Sequence, residues 1–472
     1  MPPPPPAAAA AGKKLRVGFV SKCVESCYRR SCGPAFPRPP AHPPPRYWRK
    51  HSVCKLLGGV VRHLPRDDFE VYVFSSAEQE DDWTEYAASG ANFVRLPRGT
   101  LAGNRDEVTS RNIDLLVYAD VGMDPRIYAW AAARLAPVQM AFWGHPATTG
   151  LPSIDYYVTS DAFEPDARQA LGRFSEQLVR FDSLSYYFRA PAEALEAKRA
   201  ASATAAPSKW AGTAWHALAS EGEGPLFLMA QSLPKFATPR MDAALEAILR
   251  RAGPSARLVV VFDKNRVLWK DKLLARYVKR TLLTTTTTAT TMTTTTATSP
   301  VATAVADTTT TPLLLLLLLL LLFPPYKLTH LASLRYRTTL GVESEKVVFL
   351  PTVPAVEYHA LVAASTVLLD PFPFGGGVTT LEALAQCKPV LTVPSAQSVP
   401  RLAAGMLARI GLADDLVAPS ETAWVDAAVA LGTNATLRAD VEARTCARQA
   451  ELFDDREAAD EWARVLRRVA AR

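Results

Sequence analysis

The chain has 472 residues, with 53 Lys and Arg against 46 Asp and Glu (formal charge +7), 49% hydrophobic and 21% charged residues. That balance belongs to a globular protein with room for two or three domains of ~100–200 residues each. The basic residues are dispersed among acids and form no stripe interleaved with aromatics, which argues against a nucleic-acid partner.

The opening MPPPPPAAAAAGKK (residues 1–14) reads as a disordered Pro/Ala tail. It shows no charged region before a long apolar core and no cleavage-site pattern. Six cysteines stand at 23, 27, 32, 54, 387 and 446. A chain of this size needs no disulfide framework, so reduced thiols are expected. Cys23, Cys27 and Cys32, with His51 and Cys54 beyond, invite a zinc reading. The C-x3-C and C-x4-C spacings are poor matches to paired knuckles, and no metal site is assigned.

Strands are expected at Leu15–Ser21, Asp68–Ser75, Ile113–Tyr118, Val138–Trp143 and Ile154–Thr159. Apolar residues at three-and-four spacing predict helices over His51–His63 and Pro125–Leu135. This alternation predicts a doubly wound parallel sheet, an N-terminal Rossmann-like domain over residues 15–190. Ligands of such sheets lie at the carboxyl ends of strands, which places Ser21, Asp120, Gly122 and the loop Gly144–Gly150 on one rim. A tight proline/glycine turn without a ligand is the other reading of that loop. His51, at a helix start, has the side chain best suited to take a proton near pH 7. From the residues alone, capping or hydrogen-bonding its own loop is the favoured reading.

Residues 191–224, rich in Ala, Glu and Ser, read as an interdomain helix and linker. A second Rossmann-like domain is expected over 225–472, with strands at Pro225–Met229, Arg257–Phe262 and Lys346–Leu350 and helices at Met241–Arg251 and Val356–Ala364. Residues 281–325 interrupt it with threonine tracts and ten consecutive leucines at 313–322. A membrane-spanning helix needs ~20 apolar residues, and Leu313–Phe323 supplies eleven. Homopolymer tracts specify no packed core, so the segment reads as a disordered insertion, with an oligo-leucine able to promote association.

The stretch Leu368–Pro394, LLDPFPFGGGVTTLEALAQCKPVLTVP, reads as strand end, glycine loop, helix and strand. Gly375, Gly376 and Gly377 permit close backbone approach to a ligand. Thr379 and Thr380 are expected to cap the helix, with Glu382 in its first turn. No Gly-Lys-Ser/Thr follows, and the glycines are contiguous, so this is neither a Walker loop nor a dinucleotide fingerprint. Phosphate could lie on the loop, with a ribose diol on Glu382. A structural turn with Glu382 as a helix-dipole residue is the plainer alternative. Tyr358 and His359 offer an aromatic face to a base, or ordinary helix packing. Glu451–Arg472 is an amphipathic terminal helix.

That stretch and its flanks resemble the C-terminal catalytic region of the O-GlcNAc transferase family (glycosyltransferase family 41), in particular its bacterial-type members. The resemblance covers most of Leu15–Arg189 and Pro225–Arg472. APVQMAFWGHPATTGLPSIDYYVTSD resembles the family's APVQ…WLGYPGTTG…IDY…TD, with His145 and Ala147 departing from Tyr and Gly. Gln231-Ser-Leu-Pro-Lys-Phe236 resembles its P-Q-S/T-L-x-K segment, and Arg49-Lys-His-Ser-Val53 its histidine-bearing helix start. Ser398-Val-Pro-Arg401 resembles its short segment ending in Arg-Val. Asn92 and Val378 stand where animal-type members have histidines, and Lys22–Lys50 replaces a short loop. The family's helical repeats of about thirty-four residues are not found.

The resemblance implies a GT-B fold, two Rossmann-like domains facing across a cleft. It implies metal-independent, inverting transfer of a sugar from a UDP-sugar, UDP-GlcNAc above all, to protein Ser/Thr hydroxyls, without a cofactor. His51 and Lys235 would be catalytic, the lysine against the diphosphate. Gly144, Pro146, Thr149, Gln231, Tyr358, His359, Gly376, Gly377, Thr379, Thr380, Glu382 and Arg401 would bind the donor. The terminal helix would cross back to the first domain, and the setting would be cytoplasmic or nuclear with no membrane span. A UDP-GlcNAc 2-epimerase of the same fold is an alternative. So is a nucleotide-sugar sensor without chemistry, which Asn92 and the rebuilt loop before His51 favour.

Overall fold

The structure, a computed structural model, describes residues 13–21, 52–75, 82–96, 100–164, 167–202, 224–232, 235, 238–262, 347–394 and 401–471. The tail, the loop bearing Cys23, Cys27 and Cys32, His51, the linker beyond Ser202, the 281–325 insertion and Ser398 lie outside the described residues.

Strands rich in Val, Leu and Phe without alternation are suited to parallel sheets covered on both faces. β1 (Leu15–Ser21), β2 (Phe69–Ser75), β3 (Asn92–Arg95), β4 (Leu115–Tyr118), β5 (Val138–Phe142), β6 (Tyr156–Ser160) and β7 (Gln177–Phe181) form one sheet in the order β3-β2-β1-β4-β5-β6-β7. Every pair is parallel, with Val17 opposite Val71 on one side and Leu115 on the other. Among the helices between them are α1 (Ser52–His63), α2 (Asp82–Ala88), α3 (Leu101–Thr109), α4 (Pro125–Ala131) and α5 (Ala167–Leu171).

The five expected strands are present. β3 and β7 were not foreseen, and both are edge strands. Asn92 and Arg95 of β3 are exposed, and β7 is mostly half-buried, so neither carries the continuous apolar run of a central strand.

After α6 (Ala192–Ser202) a second parallel sheet begins. It contains β8 (Leu226–Met229), β9 (Arg257–Phe262), β10 (Val347–Pro351), β11 (Val367–Leu369) and β12 (Val390–Leu391), in the order β10-β9-β8-β11-β12. α7 (Pro239–Arg251), α8 (Ala355–Ala364) and α9 (Val378–Leu384) connect its strands. Two such sheets in one chain give the GT-B class. α10 (Leu402–Arg409), α11 (Ala413–Leu416), α12 (Glu421–Thr433), α13 (Ala435–Arg448) and α14 (Arg456–Ala470) follow.

α14 returns to the first sheet. Its apolar residues Ala458, Ala459, Trp462, Ala463, Val465, Leu466 and Val469 recur at helical spacing and are buried. The Trp462 ring lies 5.2 Å from Phe181, 6.1 Å from Phe142 and 6.3 Å from Phe19, and its Nε1 donates to Ser185 O at 2.9 Å. Among the described residues, no helix is long and apolar enough to cross a membrane.

The expectation of reduced thiols is corrected at one pair. Cys387 and Cys446 form a disulfide, with Cα atoms 4.9 Å apart across 59 residues of sequence. The fold places the turn after α9 against α13, a proximity that their spacing does not announce. Lys198 Nζ of α6 lies 2.7 and 3.1 Å from the two sulfurs. Cys54 is buried and takes no part in that disulfide.

Candidate functional site

In the second sheet the strand order reverses between β8 and β11, the point at which a doubly wound sheet opens a crevice. Gln231 and Lys235 follow β8 there, and the glycine loop follows β11. They converge. Lys235 Nζ donates to Gln231 Oε1 at 2.8 Å and to Gly375 O at 3.1 Å, and lies 4.8 Å over the Phe374 ring. Gln231 Nε2 in turn donates to Thr379 Oγ1.

Asp370, at the end of β11, braces the loop from beneath. Its carboxylate accepts from Gly376 N at 2.5 Å and from Thr392 Oγ1 at 2.7 Å. Burial pushes its carboxyl up to about 6, against the opposing pull of Thr392, the Gly376 N–H and Lys235. Burial likewise lowers the Lys235 ammonium, and Asp370 partly restores it. Gly376 is crowded: a Cβ there would meet Gln231 Nε2, Thr379 Oγ1 at 2.8 Å and Asp370 Oδ1 at 3.2 Å. A side chain at 376 would require these polar groups to shift out of the cluster.

Two details of the sequence reading are corrected here. α9 begins at Val378 with Gly377 as its N-cap and no side-chain capping bond. The threonines do not cap it, because the Thr379 hydroxyl is turned to Gln231 and Thr380 is buried. Glu382 falls beyond the first turn of α9. It is 5% exposed and forms an ion pair with Lys55 of α1.

Arg401 donates its backbone N–H to Phe163 O at 3.0 Å, tying the start of α10 to the first sheet's connections. It lines, with Asp370, Pro373, Gly375, Thr392 and Leu402, a small recess open to solvent. Its Nε has no hydrogen-bond partner among the described residues. On α8 the two aromatic candidates differ. His359 is 2% exposed, with Nδ1 3.4 Å from Gln386 Nε2. Tyr358 is half-buried with its hydroxyl enclosed and without a hydrogen-bond partner among the described residues, and burial, then the charge of Glu382, raises it well above an ordinary tyrosine.

On the first sheet the corresponding reversal lies between β1 and β4. Ser21 Oγ donates to Asp120 Oδ2 at 2.9 Å there, both residues buried. Gly144 is pressed onto the Ala119 carbonyl, and a Cβ would lie 3.3 Å from Val53 of α1. The His145 ring lies against Gly122 (φ +98°), and burial lowers its basicity. Pro146 is half-buried in the loop. Thr149 points elsewhere: its backbone N–H, at 2.7 Å, and its hydroxyl both donate to Glu176. Its carbonyl accepts from Tyr128 at 2.9 Å.

The structure therefore gathers Gln231, Lys235, Gly375, Gly376 and Thr379 into one cluster and commits Thr149 to Glu176. Sequence reasoning missed Lys55, because a lysine in an amphipathic helix reads as solvated. α1 reaches α9 through the Lys55–Glu382 ion pair, so the two halves meet there.

Residues 312–461, which include the glycine loop and α9, match the Glycosyl transferase family 41 model. That part of the chain is similar to a family 41 glycosyltransferase catalytic region. Over 393 residues, 82% of this chain, it is 23% identical to SPINDLY of Solanum lycopersicum, named "Probable UDP-N-acetylglucosamine--peptide N-acetylglucosaminyltransferase". It is 25% identical to SPINDLY of Arabidopsis thaliana over the same share. The chain spans about one third of the length of these curated relatives, 33% and 34% respectively. Among solved structures, an O-GlcNAc transferase mutant of Thermobaculum terrenum superposes with a TM-score of 0.66 at 21% identity. That alignment covers 100% of this chain and 70% of the other, and shows the shared fold.

Proposed function

We propose that this chain is a family 41 transferase that moves GlcNAc from UDP-GlcNAc to Ser/Thr hydroxyls of proteins. The observation that carries the reading is the convergence of Lys235, Gln231, Thr379 and the Gly375–Gly376 backbone at the reversal point of the second sheet. A half-buried ammonium beside a glycine loop fits a diphosphate, and at the leaving group a fixed cation stabilises the charge that builds as the bond breaks. The names of the SPINDLY relatives support the donor and the peptide acceptor.

In this reading residues 225–472 hold the donor and 15–190 face the acceptor. The acceptor oxygen attacks the anomeric carbon with inversion, and the bond to the β-phosphate oxygen breaks. Its electron pair leaves with UDP, and the acceptor proton passes to His51. Lys235 and the loop amides receive the diphosphate and Glu382 the ribose. The chemistry needs neither metal nor cofactor, and the setting is cytoplasmic or nuclear.

The test is UDP release from UDP-GlcNAc by the purified chain, with and without a pool of protein acceptors. Acceptor-dependent release, with sugar appearing on protein, is expected. Acceptor-independent conversion of the sugar nucleotide indicates an epimerase, and binding without release a sensor.

A further inference from the structure

The carboxylate proposed for the ribose is shared between the two halves of the molecule. Glu382 belongs to α9 of the second sheet and Lys55 to α1 of the first, 327 residues apart, yet they form an ion pair. It is a buried one, with side chains 12% exposed for Lys55 and 6% for Glu382. Charges withdrawn from water in this way persist when each compensates the other. The pair also has polar neighbours without partners of their own. The Tyr358 hydroxyl and Gln386 Oε1 are enclosed and unpaired among the described residues. The amide of the same Gln386 donates to Glu382 O at 3.4 Å. Enclosed donors and acceptors left over beside a carboxylate are what a ligand's hydroxyl groups satisfy.

A carboxylate offers about four acceptor positions, and Lys55 engages Oε1, leaving Oε2 for a ligand. Glu382 also shares its short helix with Thr379, whose hydroxyl belongs to the cluster that faces the diphosphate. An unpaired anion there would repel the nucleotide's phosphates, and Lys55 offsets that charge. We infer that Lys55 is a donor-site positioning residue supplied by the first half of the chain, holding Glu382 for the ribose diol so that recognition of the ribose requires both halves. This rests on the proposed function and adds to it a residue from the opposite side of the cleft.

The test measures equilibrium binding of UDP, 2′-deoxy-UDP and uridine to the full chain, as wild type, Lys55→Met, Lys55→Arg and Glu382→Gln. Wild type is expected to prefer UDP over 2′-deoxy-UDP by about tenfold or more, the worth of one charge-assisted hydrogen bond. Lys55→Met loses that preference to the level of Glu382→Gln, keeps the gain of UDP over uridine, and is rescued by Lys55→Arg. A Lys55→Met protein that still discriminates, or that weakens for both nucleotides equally, overturns the inference and leaves a structural tie between the halves. Wild type that binds UDP without preferring the ribose removes this subsite while the diphosphate reading stands. Wild type that does not bind UDP overturns both. If Lys55→Met does not fold, Lys55→Gln, which keeps a donor without the charge, carries the same comparison.

Discussion

Lys235 Nζ lies 3.1 Å from the carbonyl oxygen of Gly375. Its other direct acceptor, Gln231 Oε1, is also neutral, so neither bond supplies a counter-charge. Asp370 acts on it only through space. A half-buried cation held by neutral oxygens retains its attraction for an incoming anion. Lys235→Ala is therefore expected to lower UDP release by about 10²–10³-fold, as for loss of one electrostatic donor at a reacting centre. UDP binding, which the loop also supports, is retained. Steady-state UDP release set against UDP titration checks this, and unchanged turnover would remove Lys235 from the chemistry.

Asp370 gives the site a dependence on pH. Its folded carboxyl titrates near 6 against an ordinary value of 3.8, because burial disfavours the anion. The folded state thus binds this proton more tightly than the unfolded state does. The stabilisation is complete below about 3.8 and is lost as pH rises through about 6. At about 1.4 kcal/mol per pH unit the group accounts for a fall of up to about 3 kcal/mol across that window. Asp370→Asn should flatten this part of the profile, measured by urea denaturation at several pH values. A variant with the wild-type slope would show that the carboxyl titrates normally.

The legible parts of the molecule were those with local signals. β1, β4, β5 and β9 are apolar runs, and the glycine loop is marked by composition. Edge strands β3 and β7 were illegible because half-exposed strands mix polar and apolar residues without a long run. The Lys235–Gln231–Thr379 cluster was reached through family likeness, since nothing local relates position 231 to 379. The Lys55–Glu382 pair was not reached at all: it depends on how the two halves oppose each other. The capping role given to Thr379 failed for a related reason, its hydroxyl being claimed by a residue 148 positions away.

The Cys387–Cys446 bond is open to a direct chemical check. It closes a loop with a sequence separation of 59, for which the chain-entropy relation gives a stabilisation of about 4 kcal/mol. Under non-reducing conditions these two cysteines should resist alkylation of the unfolded protein and become reactive after reductant. Reductant should lower the melting temperature of the wild type and leave that of Cys446→Ala unmoved. Two alkylated thiols at these positions without reductant would restore the expectation made from the sequence.

The last helix offers the sharpest test of how the C-terminal chain is held to the first sheet. Glu461 accepts the backbone N–H of Asp182 at 2.8 Å and of Ser183 at 3.0 Å, satisfying two donors just beyond β7. Beside it, Trp462 is fully buried among Phe19, Phe142 and Phe181. Trp462→Ala removes the ring and leaves a cavity, at a cost of about 3–5 kcal/mol. Glu461→Ala strands the buried Ser183 amide, at about 1–3 kcal/mol, and leaves that of the exposed Asp182 to water. Glu461→Gln keeps one acceptor oxygen and should fall between Glu461→Ala and wild type. Chemical denaturation followed by tryptophan fluorescence and by far-UV circular dichroism measures all three. If α14 were a loosely docked tail, the three variants would unfold at the wild-type midpoint. The expected ordering, with Glu461→Gln intermediate, requires the carboxylate to act as an acceptor and not as packing alone.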